Sequence, residues 1–168
     1  MPDFPSIDVI ICAHDMARLP QIREAVSSVR AQSRAAHGLI LVVDHNPGLL
    51  ARLADEFAGA ARVIENGAAQ GLSGARNTGV AEASADVVAF LDDDAVAAPD
   101  WLARLAEHYG DPRLIGVGGR AVPIWPGGAR PGWFPEEFDW VVGCTHRGSP
   151  EDLAEVRNLI GCNMSFRR

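Results

Sequence analysis

The chain begins as a series of apolar runs, interrupted only by Asp8 in the first, each ending abruptly in polar residues. Ile7-Asp8-Val9-Ile10-Ile11-Cys12 leads into Ala13-His14-Asp15, and Leu39-Ile40-Leu41-Val42-Val43 into Asp44-His45-Asn46-Pro47. Val87-Val88-Ala89-Phe90-Leu91 leads into Asp92-Asp93-Asp94. Runs of this length, rich in Val and Ile and lacking polar alternation, are expected of strands buried on both faces of a parallel sheet. Arg62-Val63-Ile64-Glu65 reads as a shorter strand closed by Asn66-Gly67. Leu114 to Val122 is also strand-like, with Gly116, Gly118 and Gly119 marking a bulge or a close backbone approach.

Helical spacing fills the intervals. Ile22, Ala25, Val26 and Val29 follow the i, i+3, i+4, i+7 pattern, with Pro20 near the helix start. Leu49 to Phe57 is a second helix. The Gly-rich stretch from Gly71 to Gly79 opens a third that runs to about Ser84, with Ser73 as the expected N-cap. Pro99 opens a fourth, with Leu102, Leu105, Ala106 and Tyr109 on its apolar face and Gly110 closing it. Strand and helix alternate, so the expected fold is α/β: a mainly parallel central sheet flanked by helices, Rossmann-like in its connections.

Composition narrows the function classes. With 168 residues, 48% of them hydrophobic, the chain can bury a core as one domain. A formal net charge of −7 argues against nucleic acid as the main partner. No apolar run approaches a transmembrane span, and Met1-Pro2-Asp3-Phe4 lacks the basic and apolar regions of a signal peptide. A cytoplasmic location is expected, with a peripheral place at the inner face of the membrane left open. Cys12, Cys144 and Cys162 are widely spaced, form no zinc or CxxC pattern and are read as free thiols. All 15 basic residues other than His are Arg. Without Lys, neither P-loop phosphate binding nor pyridoxal Schiff-base chemistry is available to these residues.

The candidate chemistry centres on Asp92, Asp93 and Asp94. At the carboxyl end of a buried strand they lie where open α/β sheets bind ligands. Adjacent carboxylates repel one another, and a divalent cation would offset that repulsion, because hard cations take carboxylate oxygens and share them with substrate phosphates. A solvated acidic turn is the other reading of the same residues. The helix start at Gly71 offers free N–H groups to an anion, and Arg76 could add a bidentate phosphate contact, although a Gly-rich helix start also serves plain packing. From Pro123 to Pro150 the composition shifts toward Pro, Gly and Trp, with Trp125, Trp133 and Trp140 beside Glu136, Glu137 and Asp139. Such a segment is a candidate loop or lid; its Trp residues suit either carbohydrate or lipid contact, or loop anchoring.

In this order the pieces resemble family 2 glycosyltransferases of the GT-A fold, over almost the whole chain. Ile7 to Asp15 is similar to the family's opening VSVIIPTYN, and Val42-Val43-Asp44 to its VVDDGS. Gly71 to Gly79 is similar to G-x-x-x-A-R-N-x-G. Leu91-Asp92-Asp93-Asp94, followed by Pro99-x-Trp101-Leu102, is similar to the DXD strand and its helix. Gly161 to Arg168 is similar to the GASMAFRR acceptor-side segment. Ala13 and His14 stand where Thr and Tyr are usual, and Asn46-Pro47 replaces Gly-Ser.

The resemblance implies an inverting enzyme that moves a sugar from a UDP-, GDP- or dTDP-sugar to an acceptor hydroxyl, assisted by Mn²⁺ or Mg²⁺. The acceptor would be a glycan, a lipid-linked species or a small molecule. Ala13, His14, Asp15, Asp44, Gly71, Arg76, Asp92 and Asp93 would contact the nucleotide sugar. Asp94, with Asp92 sharing, would hold the metal. Residues 1–122 would form the nucleotide-sugar half of a single domain spanning 1–168, and 123–168 the acceptor-side loop and the start of the acceptor-side motif. The family's general base lies in an ED motif beyond the Phe-Arg-Arg segment. The 168 residues are therefore expected to bind donor but to transfer slowly, with Glu136, Glu137 or Asp139 as weaker substitutes for the base. The alternatives are a nucleotidyltransferase-like enzyme, which would want a Gly-rich basic loop after the first strand, and a non-catalytic nucleotide-sugar-binding fragment.

Overall fold

The computed structural model describes residues 4–168. Met1 to Asp3, which carry most of the start read above for a signal peptide, lie outside the described residues. The strands are β1 (Ile7–Ala13), β2 (Gly38–Val43), β3 (Arg62–Glu65), β4 (Val87–Asp92), β5 (Gly116–Gly118) and β6 (Met164–Arg167). The helices are α1 (Leu19–Arg30), α2 (Pro47–Glu56), α3 (Leu72–Glu82) and α4 (Trp101–His108). The strands form one six-stranded sheet in the order β3-β2-β1-β4-β6-β5. The first four positions are parallel, as the unbroken apolar runs imply, while β6 runs antiparallel to both β4 and β5.

Alternate residues of each strand supply two cores. Val9, Ile11, Leu41, Val43, Val87 and Leu91 pack under α1, α2 and α4. Ile10, Val42, Val88 and Phe90 face the other way, where Ala75 and Ala83 of the α3 region join them. Only a small residue lets α3 lie this close to the sheet: a Cβ on Gly79 would stand 2.6 Å from Ile10 Cγ2.

Several boundaries differ from the sequence expectation, each for a visible reason. Ser73 is not the N-cap of α3; Gly71 is, with φ of 119°, and it turns the chain so that its own N–H points at Asp44. The helix after Pro99 begins at Trp101, because the Pro99 carbonyl accepts a hydrogen bond from Ser33 N–H at 2.8 Å before the helix starts. The strand expected over 114–122 shortens to Gly116–Gly118, for the chain leaves the sheet where Gly119 N–H bonds to the Asn163 carbonyl. The departure Asn46-Pro47 makes a clean helix start: Asn46 Oδ1 accepts Leu49 N–H at 3.0 Å and Pro47 occupies the first turn of α2.

The strand reversal lies between β2 and β4, on either side of β1. Helical crossovers carry the chain outward from β1 to β3, and it then returns to place β4 on the opposite side of β1. That switch opens a crevice at the carboxyl ends of β1 and β4. At the opposite pole of β1, Asp8 is 2% exposed. Its Oδ2 accepts N–H groups from Ser84 and Ala85 at 2.7 and 3.0 Å, and His37 Nδ1 lies 2.9 Å from Oδ1. Burial alone would raise its pKa, but these partners outweigh burial and hold the carboxyl below its ordinary value. A carboxyl depressed on folding adds stability above its unfolded value and loses it as pH falls through the folded one. Asp8→Ala should therefore cost about 1.5–3 kcal/mol at neutral pH. The gap between mutant and parent should close on acidification below about pH 4; urea unfolding across pH measures it, and a gap independent of pH would refute the ionic origin.

Candidate active site

Four segments meet at the switch point: the end of β1, the end of β2, the start of α3 and the end of β4. Between them is a cleft of about 440 Å³ lined by Ala13, His14, Arg18, Asp44, Gly71, Asp92, Asp93 and Asp94, among others. Seven of these eight were named from the sequence, and Arg18 was not. Two other sequence candidates stand elsewhere. Asp15 turns back on its own loop, its Oδ1 accepting Ala17 N–H at 2.9 Å to cap the 3-10 turn Met16–Arg18, so it is not among the lining residues. Arg76 lines an adjoining groove of about 380 Å³ with Ser73, Phe90 and Phe166, and reaches the acids from that side.

Asp44 is held from three directions. Its Oδ1 accepts Asn66 Nδ2–H at 2.6 Å and lies 2.9 Å from His45 Nδ1, while Oδ2 accepts Gly71 N–H at 2.9 Å. Burial would raise its pKa, yet these hydrogen bonds outweigh burial and hold it below the usual carboxylate range. It is a fixed anion suited to accept hydrogen bonds from a ligand. His45 beside it is the one non-glycine residue with positive φ among those described, at 52°.

Asn66 is the hub of this corner, and the sequence offered it only as the end of a strand. It is 3% exposed. Its amide donates to Asp44 and to the Ala69 carbonyl, and its oxygen accepts from Ala68 N–H and Thr78 Oγ1–H. An Asn that follows a strand and precedes a Gly-rich helix start is the signal that could have marked it. Asn46 adds a tie between loops, donating from Nδ2 to the His14 carbonyl at 2.9 Å.

The acid triplet divides among separate partners. Asp92 Oδ1 lies 3.2 Å from Arg76 Nη2, and the same nitrogen donates to the Gly161 carbonyl at 3.0 Å, so Arg76 ties the acid strand to the segment before β6. Asp93 is 4% exposed. Its Oδ1 accepts Arg18 Nη1–H at 2.7 Å, and its Oδ2 is buried with no partner among the described residues. Asp94 Oδ2 lies 3.2 Å from the same Arg18 nitrogen. Burial pushes the pKa of Asp92 and Asp93 upward, Arg76 and Arg18 respectively oppose that, and neighbouring acids reinforce it. The nearby Cys12 thiol is pushed up to about 12 by burial, so it stays protonated and is no nucleophile at neutral pH.

Among the described residues no group of three or more His, Cys, Asp or Glu side chains is placed to hold a metal ion by itself. The carboxylates nevertheless suit a hard divalent ion that draws its remaining ligands from phosphate and water, as Mg²⁺ and Mn²⁺ sites commonly do. The orphaned Asp93 Oδ2 agrees with a cluster short of positive charge.

Of the three substitutes weighed for a proton acceptor, Asp139 and Glu137 are otherwise engaged. Asp139 is gripped by both terminal nitrogens of Arg130, at 2.6 and 2.7 Å, and that contact lowers its pKa. Glu137 pairs with Arg147 at 3.1 Å. Of the loop Trp residues, Trp125 anchors, stacked edge-on against Phe134 and covered by Arg130, whereas Trp133 and Trp140 are exposed.

Residues 8–168 match the model of the family described as glycosyl transferase family 2. The chain is 41% identical over 165 residues to a glucosyl-dolichyl phosphate glucuronosyltransferase of Haloferax volcanii, covering 96% of this chain and 52% of that protein. It is 31% identical over 116 residues to a pre-mycofactocin glycosyltransferase of Mycobacterium tuberculosis, covering 67% of this chain and 25% of the relative. Among solved structures it superposes, with a TM-score of 0.68 and 22% identity, on the mannosyltransferase PcManGT of Pyrobaculum calidifontis in complex with GDP-Man and Mn²⁺, over 99% of this chain and 46% of that one. The chain thus spans about half the length of the first of these relatives. The likeness bears out the GT-A fold expected above.

If Asn66 holds Asp44 as described, Asn66→Ala should raise the Asp44 pKa and cost about 1–3 kcal/mol of stability. Carboxyl NMR titration with urea unfolding reads both; an Asp44 that titrates unchanged would show that Asn66 does not set its charge.

Proposed function

The chain belongs to the family 2 glycosyltransferases, and on that premise we propose that it binds a nucleotide-sugar donor in the cleft at the switch point and serves sugar transfer to an acceptor hydroxyl with inversion. What supports this reading is the meeting in one cleft of Asp44, the Asp92–Asp94 triplet and Arg18, with Arg76 reaching Asp92 from the adjoining groove. The superposed mannosyltransferase carries GDP-Man and Mn²⁺, which favours a divalent ion here as well.

In this reading Asp44 accepts hydrogen bonds from the nucleobase, with Ala13, His14 and Gly71 forming the wall beside it. Asp92 and Asp93 border the ribose and the diphosphate, and Asp94, with Asp92, would hold Mn²⁺ or Mg²⁺. The ion, when bound, supplies Lewis-acid charge to the departing diphosphate. Arg76 at the start of α3 stabilises the same negative charge, which grows as the anomeric carbon–oxygen bond breaks. The acceptor hydroxyl forms the new bond from the opposite face and gives up its proton to a base. We do not assign that base to Asp139 or Glu137, since carboxylates held low by Arg partners are weak proton acceptors.

The acceptor-side residues are those between β5 and β6, where Trp133, Phe138 and Trp140 are exposed. The Haloferax volcanii relative acts, by its name, on a glucosyl-dolichyl phosphate, and a lipid-linked acceptor is the one we favour. No helix among the described residues is long and apolar enough to cross a membrane, so contact with such an acceptor would be made at the membrane face.

Asp94→Ala should abolish the part of nucleotide binding that depends on Mn²⁺ while leaving the fold intact; calorimetry with Mn²⁺ and with chelator reads the difference, and an unchanged affinity would remove Asp94 from the metal site. Arg76→Ala should weaken a nucleoside diphosphate by about 1.5–3 kcal/mol and the bare nucleoside far less. Equal losses in parallel titrations would sink the phosphate role.

A further inference from the structure

Arg18 belongs to none of the sequence motifs, yet it is the cation closest to the centre of the acid cluster. It rises from the 3-10 turn Met16–Arg18 at the foot of α1. A single nitrogen, Nη1, lies 2.7 Å from Asp93 Oδ1 and 3.2 Å from Asp94 Oδ2, so one donor group bridges two carboxylates. The two contacts are unequal. The Asp93 side chain is 6% exposed, and withdrawing its cation would leave a buried charge uncompensated. The Asp94 side chain is 51% exposed, and its contact is the kind that solvent weakens. Arg18 therefore has one fixed anchor and one releasable partner. Its Nε and Nη2 make no hydrogen bond among the described residues, and the side chain lines the cleft.

Resting on the metal–nucleotide reading above, we infer that Arg18 is a built-in cation of the acid cluster: anchored on Asp93, it neutralises Asp94 until a divalent ion takes that carboxylate, while its free N–H groups serve to bind a phosphate oxygen of the donor. A divalent ion arriving alone must displace a positive charge from Asp94 and then sit beside it. An ion arriving with a diphosphate would meet a smaller penalty, because the negative charge of the diphosphate would offset both cations. The forked guanidinium suits this role, since it can hold a carboxylate with one edge and a phosphate with another. Metal and nucleotide would then favour each other's binding through Arg18, each raising the affinity of the other by the same factor.

The test is a pair of binding measurements whose effects should have opposite signs. Mn²⁺ affinity without nucleotide is read from the free-ion paramagnetic resonance signal, and affinity for GDP and UDP in chelator is read by calorimetry. Arg18→Gln should tighten Mn²⁺ alone by about two- to fivefold, the scale of an exposed ion pair relieved. The same change should weaken the metal-free nucleoside diphosphate by about tenfold or more, the scale of a lost charge-assisted hydrogen bond. Arg18→Lys retains a cation for Asp93 without the fork, so it should leave Mn²⁺ affinity near the parent's and lower diphosphate affinity part of the way. If Arg18→Gln does not fold, judged by circular dichroism melting, the Lys variant decides alone. A fall in both affinities together, or a change in neither, would overturn the role of Arg18. Parent protein that takes up no Mn²⁺ even with GDP or UDP present would overturn the metal reading instead.

Discussion

Three carboxylates at the end of a buried strand cannot be left to solvent alone. β4 places Asp92, Asp93 and Asp94 at its carboxyl end, and the middle one is almost wholly buried. Their repulsion is offset by guanidinium groups reaching in from two sides, Arg18 from the foot of α1 and Arg76 from the start of α3. Both arginines are also ties. Arg76 joins the acids to the Gly161 carbonyl, and Arg18 joins the loop after β1 to the end of β4. The electrostatic problem of the triplet thus holds together the parts that border the cleft. In the reading proposed above, a cluster balanced in this way favours a cation that brings anions with it, as a metal–diphosphate ligand would.

The sheet carries a second buried acid with a different purpose. Asp8 and Asp44 stand near opposite ends of the parallel strands, and both are held below their ordinary pKa by N–H donors and a neighbouring His. Asp8 spends its oxygens on the backbone of Ser84 and Ala85 and on His37, with almost no exposure. Asp44 is partnered as fully, but it opens onto the cleft. Similar local chemistry serves the fold at one pole and lines an open cleft at the other, because the switch in strand order opens a crevice at the carboxyl ends.

Between β5 and β6 the backbone departs from regular structure, with only short 3-10 turns at Pro126–Gly128 and Glu136–Val142. Its anchors are nonetheless specific. Trp101 Nε1–H donates to Asn163 Oδ1 at 2.8 Å, and Asn163 Nδ2–H donates to the Arg120 carbonyl. Tyr109 and Ser165 share a buried hydrogen bond of 2.8 Å. These contacts return the chain to β4 as β6, in register with Val87 to Phe90. The exposed aromatic residues of this segment face outward from a scaffold held at both ends.

The amino-acid sequence by itself determined the strand and helix alternation, because unbroken apolar runs and a 3.6-residue stripe are local patterns that burial imposes on any such fold. It also determined the acids at the end of β4, the helix start with Arg76, and Asp44 at the end of β2, since polar residues that follow a buried strand fall at its carboxyl edge. Only the tertiary structure decided who partners whom. Asn66 reads as a turn residue until its amide is seen holding Asp44, and nothing local in the sequence shows that the Asp15 carboxylate caps its own turn. Arg18 carries no local signal, for its importance comes from Asp93, a partner 75 residues away. The antiparallel return of β6 was equally hidden, because its four residues carry no burial pattern of their own and pair only after the chain has crossed the irregular segment. Periodicity reports which face of an element is buried; the pairing of charges across loops depends on distances that exist only once the strands have been ordered.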